Sequence, residues 1–163
     1  TLNRLQTTVP DFKLRTEVSR TLSRAYVTDE PSGPVLTLDP QFLHDLSPDA
    51  LLFVVAHEYA HVHLKHQKKL GAKAIELAGL PNADLAFDAL EAQPVAMSAL
   101  HRMNRQFELD ADEQATRWLR SMGVKACQDD VLRSMDNNEM AMMVIAPSHP
   151  GYYRRKAVIC RGE

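Results

Sequence analysis

The sequence has 163 residues, and its 45% hydrophobic and 25% charged content is that of an ordinary globular protein, with one domain expected over residues 1–163. Nineteen basic and 21 acidic residues give a formal net charge of −2, which excludes the strongly basic field of a nucleic-acid-binding domain. No stretch approaches the ~20 apolar residues of a transmembrane helix, so no span is expected within this chain.

The N-terminal part of the chain predicts one helix and one strand. Leu14 and Val18 belong to a set of apolar residues at helical spacing, which indicates a helix at about residues 11–25. A Pro-Ser-Gly-Pro turn follows at residues 31–34. The apolar residues 35–38 come next and predict a short strand, because an Asp-Pro pair ends the run.

A long buried helix is predicted after this strand. Ser47 as N-cap and Pro48 at the first helical position mark its start. The apolar run at residues 50–56 indicates burial on all sides. The helix is expected to continue past His61 into the lysines of residues 65–69, where positive charge suits the helix dipole.

This helix carries an H-E-x-x-H pattern at residues 57–61. Positions i and i+4 share a helix face, so His57 and His61 can direct two imidazoles at one divalent ion, usually zinc. Glu58 is rotated by about 100° and suits a general base better than a third ligand. The pattern also occurs by chance on solvated helices, but buried polar groups need partners, and a metal ion supplies them. His63 and His66 follow and are expected to be solvated.

Two more helical segments are predicted after the glycine at residue 71. Residues 71–100 are apolar with few charges, which favours a core helix, with a mobile lid or a hydrophobic contact surface as the alternative. Residues 101–122 show an amphipathic helical pattern. Glu108 and Asp112 stand one turn apart beside its apolar stripe. They are either solvent-facing acids or a third metal ligand and its supporting carboxylate.

The C-terminal part contains a polar cluster with no evident role in a core. Residues 124–135 are expected to be helical, and an apolar run at 140–145 precedes the cluster, which includes His149 and Arg155. Cys127 and Cys160 are compatible with two free thiols in a reducing compartment and with one disulfide in an oxidising one.

Three segments together resemble the M48 zinc metallopeptidases, the gluzincin group of Ste24-, HtpX- and Oma1-like proteins, in its soluble branch. Residues 55–62 (VAHEYAHV) resemble the active-site helix of that family, and residues 107–112 (FELDAD) resemble its E-x-x-A-D-like segment. Residues 148–150 with Arg155 resemble its late T-H-P-x-x-x-x-R motif, although Ser148 replaces the threonine. The family's Asn-Ala-Phe segment before the strand is missing.

The resemblance implies an α+β fold, a mostly helical zincin-like domain with a small antiparallel sheet beside the active-site helix. It implies a zinc endopeptidase that binds one Zn²⁺ and hydrolyses peptide bonds through a metal-activated water. The implied site residues are His57, His61 and Glu108 as ligands, Glu58 as general base, Asp112 as the carboxylate that orients His57, and His149 with Arg155 near the developing oxyanion.

A polypeptide substrate is the implied partner, since proteases of this group bind extended peptide along an edge strand. The prediction is that peptide pairs with Val35, Leu36, Thr37 and Leu38. By resemblance, a periplasmic or other cell-envelope location is favoured over the cytoplasm, and peripheral membrane contact is compatible with it.

Three other functions remain open at this point. A di-iron carboxylate protein would need a second Glu-x-x-His pair on another helix, and the sequence has none. A catalytically silent relative would act as a chaperone or binding module. A latent protease would have its site covered by the apolar segment of residues 83–100 or by the His149 loop.

Overall fold

The computed structural model describes residues 2–20, 24–135 and 149–162, which form an α+β fold, as predicted. Most of the described chain is helical, and three strands near the N-terminus make one small sheet. In chain order the elements are α1 (Leu2–Thr8), β1 (Arg15–Val18), β2 (Ala25–Glu30), β3 (Gly33–Leu38), α2 (Pro40–Asp45), α3 (Pro48–His63), α4 (His66–Ala78), α5 (Ala83–Leu90), α6 (Pro94–Ser121), α7 (Asp129–Ser134) and α8 (Tyr152–Ile159).

The sheet is mixed, whereas an antiparallel sheet was expected. Its order is β1-β3-β2, with β3 antiparallel to β2 and parallel to β1. The predicted strand at residues 35–38 is therefore real but central. All four residues, Val35, Leu36, Thr37 and Leu38, are buried, as is common for a strand with neighbours on both sides. The prediction that substrate pairs with this strand is wrong, because both of its edges are already occupied.

The helix predicted at about residues 11–25 is also wrong. Asp11 has a left-handed backbone with φ of 59°, and Arg15–Val18 forms β1 beside β3. Val18, which the helical spacing would bury, is 58% exposed. Backbone pairing with β3 therefore outweighs the local helical pattern.

Helix α3 is the centre of the main core. The Ser47 side chain caps it by accepting a hydrogen bond from the Ala50 amide, and Pro48 occupies the first turn. Nine of its residues are buried, including the fully enclosed Phe53, and the helix packs against α6. Burial of both faces explains how this helix can hold polar side chains away from solvent.

The predicted continuous helix to residue 69 is interrupted. Helix α3 ends at His63, Lys65 adopts a left-handed backbone with φ of 59°, and α4 begins at His66. A lysine in this conformation carries no glycine-like sequence signal, so the break was not predicted. It changes the direction of the chain immediately after the H-E-x-x-H pattern.

The segment of residues 71–100 is divided among three helices, where one was predicted. Gly79, with φ of 66°, ends α4, and Pro94 begins α6. Helices α4, α5 and α6 enclose a second apolar cluster that includes Ala86 and Leu90. The segment thus contributes to a core, as expected, but to a separate and smaller one.

The C-terminal helix is fastened to the rest of the domain. Helix α8 packs against α6, and a disulfide joins Cys127 to Cys160. The apolar run at residues 140–145 and Ser148 lie outside the described residues. Within the described part of the chain, no helix combines the length and apolar character needed to cross a bilayer.

Candidate metal centre

Three side chains from α3 and α6 converge on one point. The Nε2 atoms of His57 and His61 lie 3.2 Å apart. Nε2 of His57 is 3.5 Å from Oε2 of Glu108, and Nε2 of His61 is 3.6 Å from Oε1 of the same carboxylate. Among the described residues, this is the group of histidine and acidic side chains whose arrangement could hold a metal ion.

The three separations agree with the requirements of a tetrahedral ion. Ligand bonds of ~2.0–2.1 Å at tetrahedral angles place ligand atoms about 3.3 Å apart. The observed distances of 3.2, 3.5 and 3.6 Å cluster around that value. Two imidazoles and one carboxylate also form a common zinc donor set that leaves a fourth position open. The residues present therefore fit a bound metal ion.

The helix period explains why these residues meet. His57 and His61 are one turn apart on α3, and Glu108 lies on the face of α6 that packs against it. His57 and Glu108 are each only 7% exposed. The site is therefore built on two packed helices, which hold ligands more firmly than loops do.

A buried ion pair between Asp112 and Arg155 contacts His57 on its Nδ1 side. Nδ1 of His57 lies 2.9 Å from Oδ1 of Asp112, which is fully buried. Asp112 in turn accepts hydrogen bonds from Nε and Nη2 of Arg155, at 2.8 and 2.7 Å. A proton on Nδ1 of His57 shared with Asp112 leaves Nε2 free to face the metal position. The predicted contact between Asp112 and His57 is present.

The charges of the cluster depend on one another. Burial would lower the pKa of His57, but Asp112 and Glu108 raise it well above its ordinary value. Burial lowers the pKa of His61 to about 3, and the neighbouring His57 acts in the same direction. Burial would raise the pKa of Glu108, but His57 holds it well below its usual range. A metal ion would replace the proton held between His57 and Glu108.

The comparisons with known proteins agree with this geometry. Residues 16–150 match the model of a family described as "Putative metallopeptidase domain". The chain belongs to this metallopeptidase family. Neither the curated proteins nor the solved structures contain a significant match to the chain. The family match supports a metal-dependent peptidase in general, and the narrower resemblance to M48 stays a prediction.

Glu58, the predicted general base, lies beside the group of His57, His61 and Glu108. It follows His57 on α3, is partly exposed, and does not belong to the three-residue ligand group. The backbone N–H of Val27 on β2 donates a hydrogen bond to its carboxylate. Burial and the nearby Glu108 raise the pKa of Glu58. Strand β2 thus touches the site, although β3 had been predicted to do so.

His66 is the site residue that sequence reasoning missed. It is 3% exposed, and its Nδ1 lies 3.1 Å from Nδ1 of His61. In one continuous helix, a residue five positions after His61 would point about 140° away. The break at Lys65 returns His66 to the ligand face, and no sequence signal indicates that break. His63 is exposed, as predicted.

The two late residues of the predicted site have different positions. Arg155 is buried and committed to Asp112, with a further hydrogen bond from Nη1 to the Met135 carbonyl. Its Nη2 is also 3.5 Å from Nδ1 of His57. This nitrogen faces away from the ligand cluster, the group formed by His57, His61 and Glu108. Arg155 therefore lies behind His57 and is bound to Asp112, and its predicted role near the oxyanion stays a prediction. His149 is half-buried just before Pro150 and α8, and its catalytic role stays a prediction.

A cavity opens at the ligand cluster. It has a volume of about 50 Å³, and its lining includes His57, Glu108, Phe42 and Arg24. Space of this size admits water molecules beside polar groups. A larger cleft of about 600 Å³ shares Arg24, Phe42 and Ser134 with this cavity, so the two adjoin.

Proposed function

We propose that this chain is a single catalytic domain, spanning residues 1–163, and that it is a zinc-dependent endopeptidase. The observation that supports this most strongly is the convergence of His57, His61 and Glu108 at tetrahedral spacing, with Asp112 behind one imidazole. The family match over residues 16–150 supports a peptidase over other metal-dependent hydrolases.

In this proposal three residues bind the ion and the others prepare the site. Nε2 of His57, Nε2 of His61 and a carboxylate oxygen of Glu108 are the protein ligands. Asp112 keeps the His57 proton on Nδ1, and Arg155 fixes both oxygens of Asp112. When bound, zinc supplies Lewis acidity, which lowers the pKa of water towards ~7 and polarises a carbonyl group.

Glu58 is the proposed general base. Its carboxylate accepts a proton from the attacking water and can then return it to the leaving amine nitrogen. Two features suit the group to this work. The raised pKa makes its carboxylate a better proton acceptor, and the Val27 amide fixes the carboxylate's orientation beside the ligand cluster.

His149 is the proposed stabiliser of the negative charge that develops on the substrate carbonyl oxygen. The support is its place next to α8, three residues before the first residue of the helix whose Arg155 contacts His57. An imidazole N–H in this region would act as a hydrogen-bond donor in the transition state. Tyr152 and Tyr153 are weaker candidates for the same role.

A polypeptide is the proposed substrate, and the cleft beside the site is its proposed location. The cleft of about 600 Å³ adjoins the ligand cluster through Phe42, Arg24 and Ser134. This volume accommodates several side chains of an extended peptide.

The decisive test combines metal content with cleavage of a protein such as casein. We expect about one zinc per chain, loss of cleavage on chelation, and recovery when zinc is restored. Bound zinc without cleavage of casein or of a peptide library would favour the alternative of a silent binding module. Absence of bound metal after incubation with zinc would overturn the proposal.

A further inference from the structure

The second histidine ligand has a partner that differs in kind from that of the first. Nδ1 of His57 faces the carboxylate of Asp112, whereas Nδ1 of His61 faces Nδ1 of His66 at 3.1 Å. Metal-binding imidazoles generally donate their second N–H to a carboxylate, a carbonyl or water. For His66 to take the place of such a partner, its Nδ1 must therefore accept the hydrogen bond from Nδ1 of His61.

We propose that His66 is a positioning residue, whose Nδ1 accepts the Nδ1–H of His61 and so directs Nε2 of His61 at the metal. This inference rests on the proposed metal site. If Nε2 of His61 is a ligand, it carries no proton, and the neutral ring has its proton on Nδ1. His66 must then offer a lone pair at Nδ1 and carry its own proton on Nε2.

The surroundings of His66 fix its ring for this task. The ring lies flat on Phe107, with centroids 4.2 Å apart and planes only 7° from parallel. The rings of His61 and His66 meet edge to face, at 4.9 Å and 81°. An edge-to-face approach with the two Nδ1 atoms in contact suits a hydrogen bond rather than a stacking interaction.

The same stack links α4 to α6, the helix that supplies Glu108. Phe107 immediately precedes the ligand Glu108 on α6, and His66 begins α4 after the left-handed Lys65. The break after α3 therefore places His66 between His61 and Phe107, the residue next to Glu108. The interruption at Lys65 thus brings His66 into contact with His61.

An imidazole that accepts a hydrogen bond at Nδ1 and carries one proton on Nε2 is neutral, so His66 in this role adds no charge to the site. Asp112 and Arg155 together add no net charge behind His57, because they form an ion pair. A neutral imidazole orients the ligand without adding an unpaired buried charge.

Two variants separate the hydrogen bond from the ring stack. His66→Phe keeps an aromatic ring on Phe107 and removes the acceptor. His66→Asn loses the ring, but its Oδ1 can take the place of Nδ1 as acceptor. His63→Phe is the matched control, since His63 is an exposed histidine at the end of α3 and phenylalanine keeps an aromatic ring beside Trp118.

The measurements are zinc affinity, by competition with a chromogenic chelator, and the melting temperature of the metal-free protein. We expect His66→Phe to weaken zinc binding by about 10–100-fold with little change in melting temperature. His66→Asn should melt earlier but bind zinc within a few-fold of the unmodified chain, and His63→Phe should change neither quantity.

The inference is overturned if His66→Phe binds zinc as tightly as the unmodified chain, in which case the metal site stands and His66 only packs. It is also overturned if His66→Asn loses affinity and His66→Phe keeps it, because the stack would then be what matters. Failure of the unmodified chain to bind zinc at all would overturn the proposed function, and this inference with it.

Discussion

Arg155 and Asp112 lie 43 residues apart and form a two-point ion pair directly behind His57. The guanidinium offers two N–H groups to the two carboxylate oxygens, at 2.8 and 2.7 Å, and both side chains are buried. Arg155 acts through Asp112 on the orientation of His57. The C-terminal helix is in this way connected to the proposed metal position.

The first prediction concerns this pair. Arg155→Ala should leave a buried carboxylate without its counterion, which typically costs about 3–5 kcal/mol. We expect a lower melting temperature and weaker zinc binding. Arg155→Lys should recover only part of the loss, because an ammonium cannot bind both oxygens in the same geometry. The measurements are thermal unfolding and zinc titration, with the exposed neighbour Arg154→Ala as control. Normal stability in Arg155→Ala would contradict the supporting role.

The approach of His57 to His61 could be predicted from the sequence because helix periodicity is local, and positions i and i+4 share a helix face. The places of Glu108 and Asp112 beside them were expected only from the family resemblance, because local spacing does not show which face of a second helix packs against the first. The local sequence does not show where a helix is interrupted, and an interruption changes where the following side chains point. His66 was predicted to be solvated because a continuous helix was assumed, and the left-handed Lys65 shows no sequence signal.

The sheet illustrates the same limit. A short apolar run predicts a strand correctly, but whether that strand is central or at an edge depends on which other segments pair with it. Residues 15–18 carry no clear strand pattern of their own, and they become a strand because β3 offers them an edge. The predicted substrate-binding edge failed for this reason.

The second prediction separates base from ligand. Glu58→Gln should keep about one zinc per chain, because Glu58 is not part of the ligand cluster. Losing a general base typically costs ~10²–10⁴-fold in rate. Cleavage rate and metal content are measured on the same sample, with the exposed Glu91→Gln as control. If zinc is lost together with activity, Glu58 is a ligand and the assignment is wrong.

The third prediction ranks three acids on α6. Glu108→Ala should remove a ligand and weaken zinc binding most severely. Asp112→Asn should weaken it by about 10–100-fold, as for other supporting residues of metal sites. Asp110→Ala should have little effect, since its carboxylate accepts a hydrogen bond from Gln106 and does not belong to the group that could hold the ion. Zinc titration of the three variants tests the order, and equal losses would contradict it.

The fourth prediction concerns the disulfide between Cys127 and Cys160. It closes a loop across 33 residues and fastens the end of α8, the helix that carries Arg155. Disulfides of this kind typically contribute about 2–4 kcal/mol to stability. The double variant Cys127→Ser, Cys160→Ser should therefore melt earlier and should resemble the chemically reduced protein. A reducing agent that leaves the melting temperature of the unmodified chain unchanged would show that the bond contributes no stability.

The last prediction is that His149 acts in the transition state and not in folding. It lies half-buried before Pro150, at the start of the segment that leads into α8. Removing a single donor to a developing oxyanion typically costs about 2.7–4 kcal/mol, or ~10²–10³-fold in kcat. We expect His149→Ala to show this loss with little change in KM, melting temperature or zinc content. His44→Ala is the control, because His44 is an exposed histidine on α2 whose Nδ1 lies 3.1 Å from the carboxylate of its neighbour Asp45. If His149→Ala instead lowers the melting temperature and leaves kcat intact, His149 is structural, and the oxyanion role passes to Tyr152, Tyr153 or the metal.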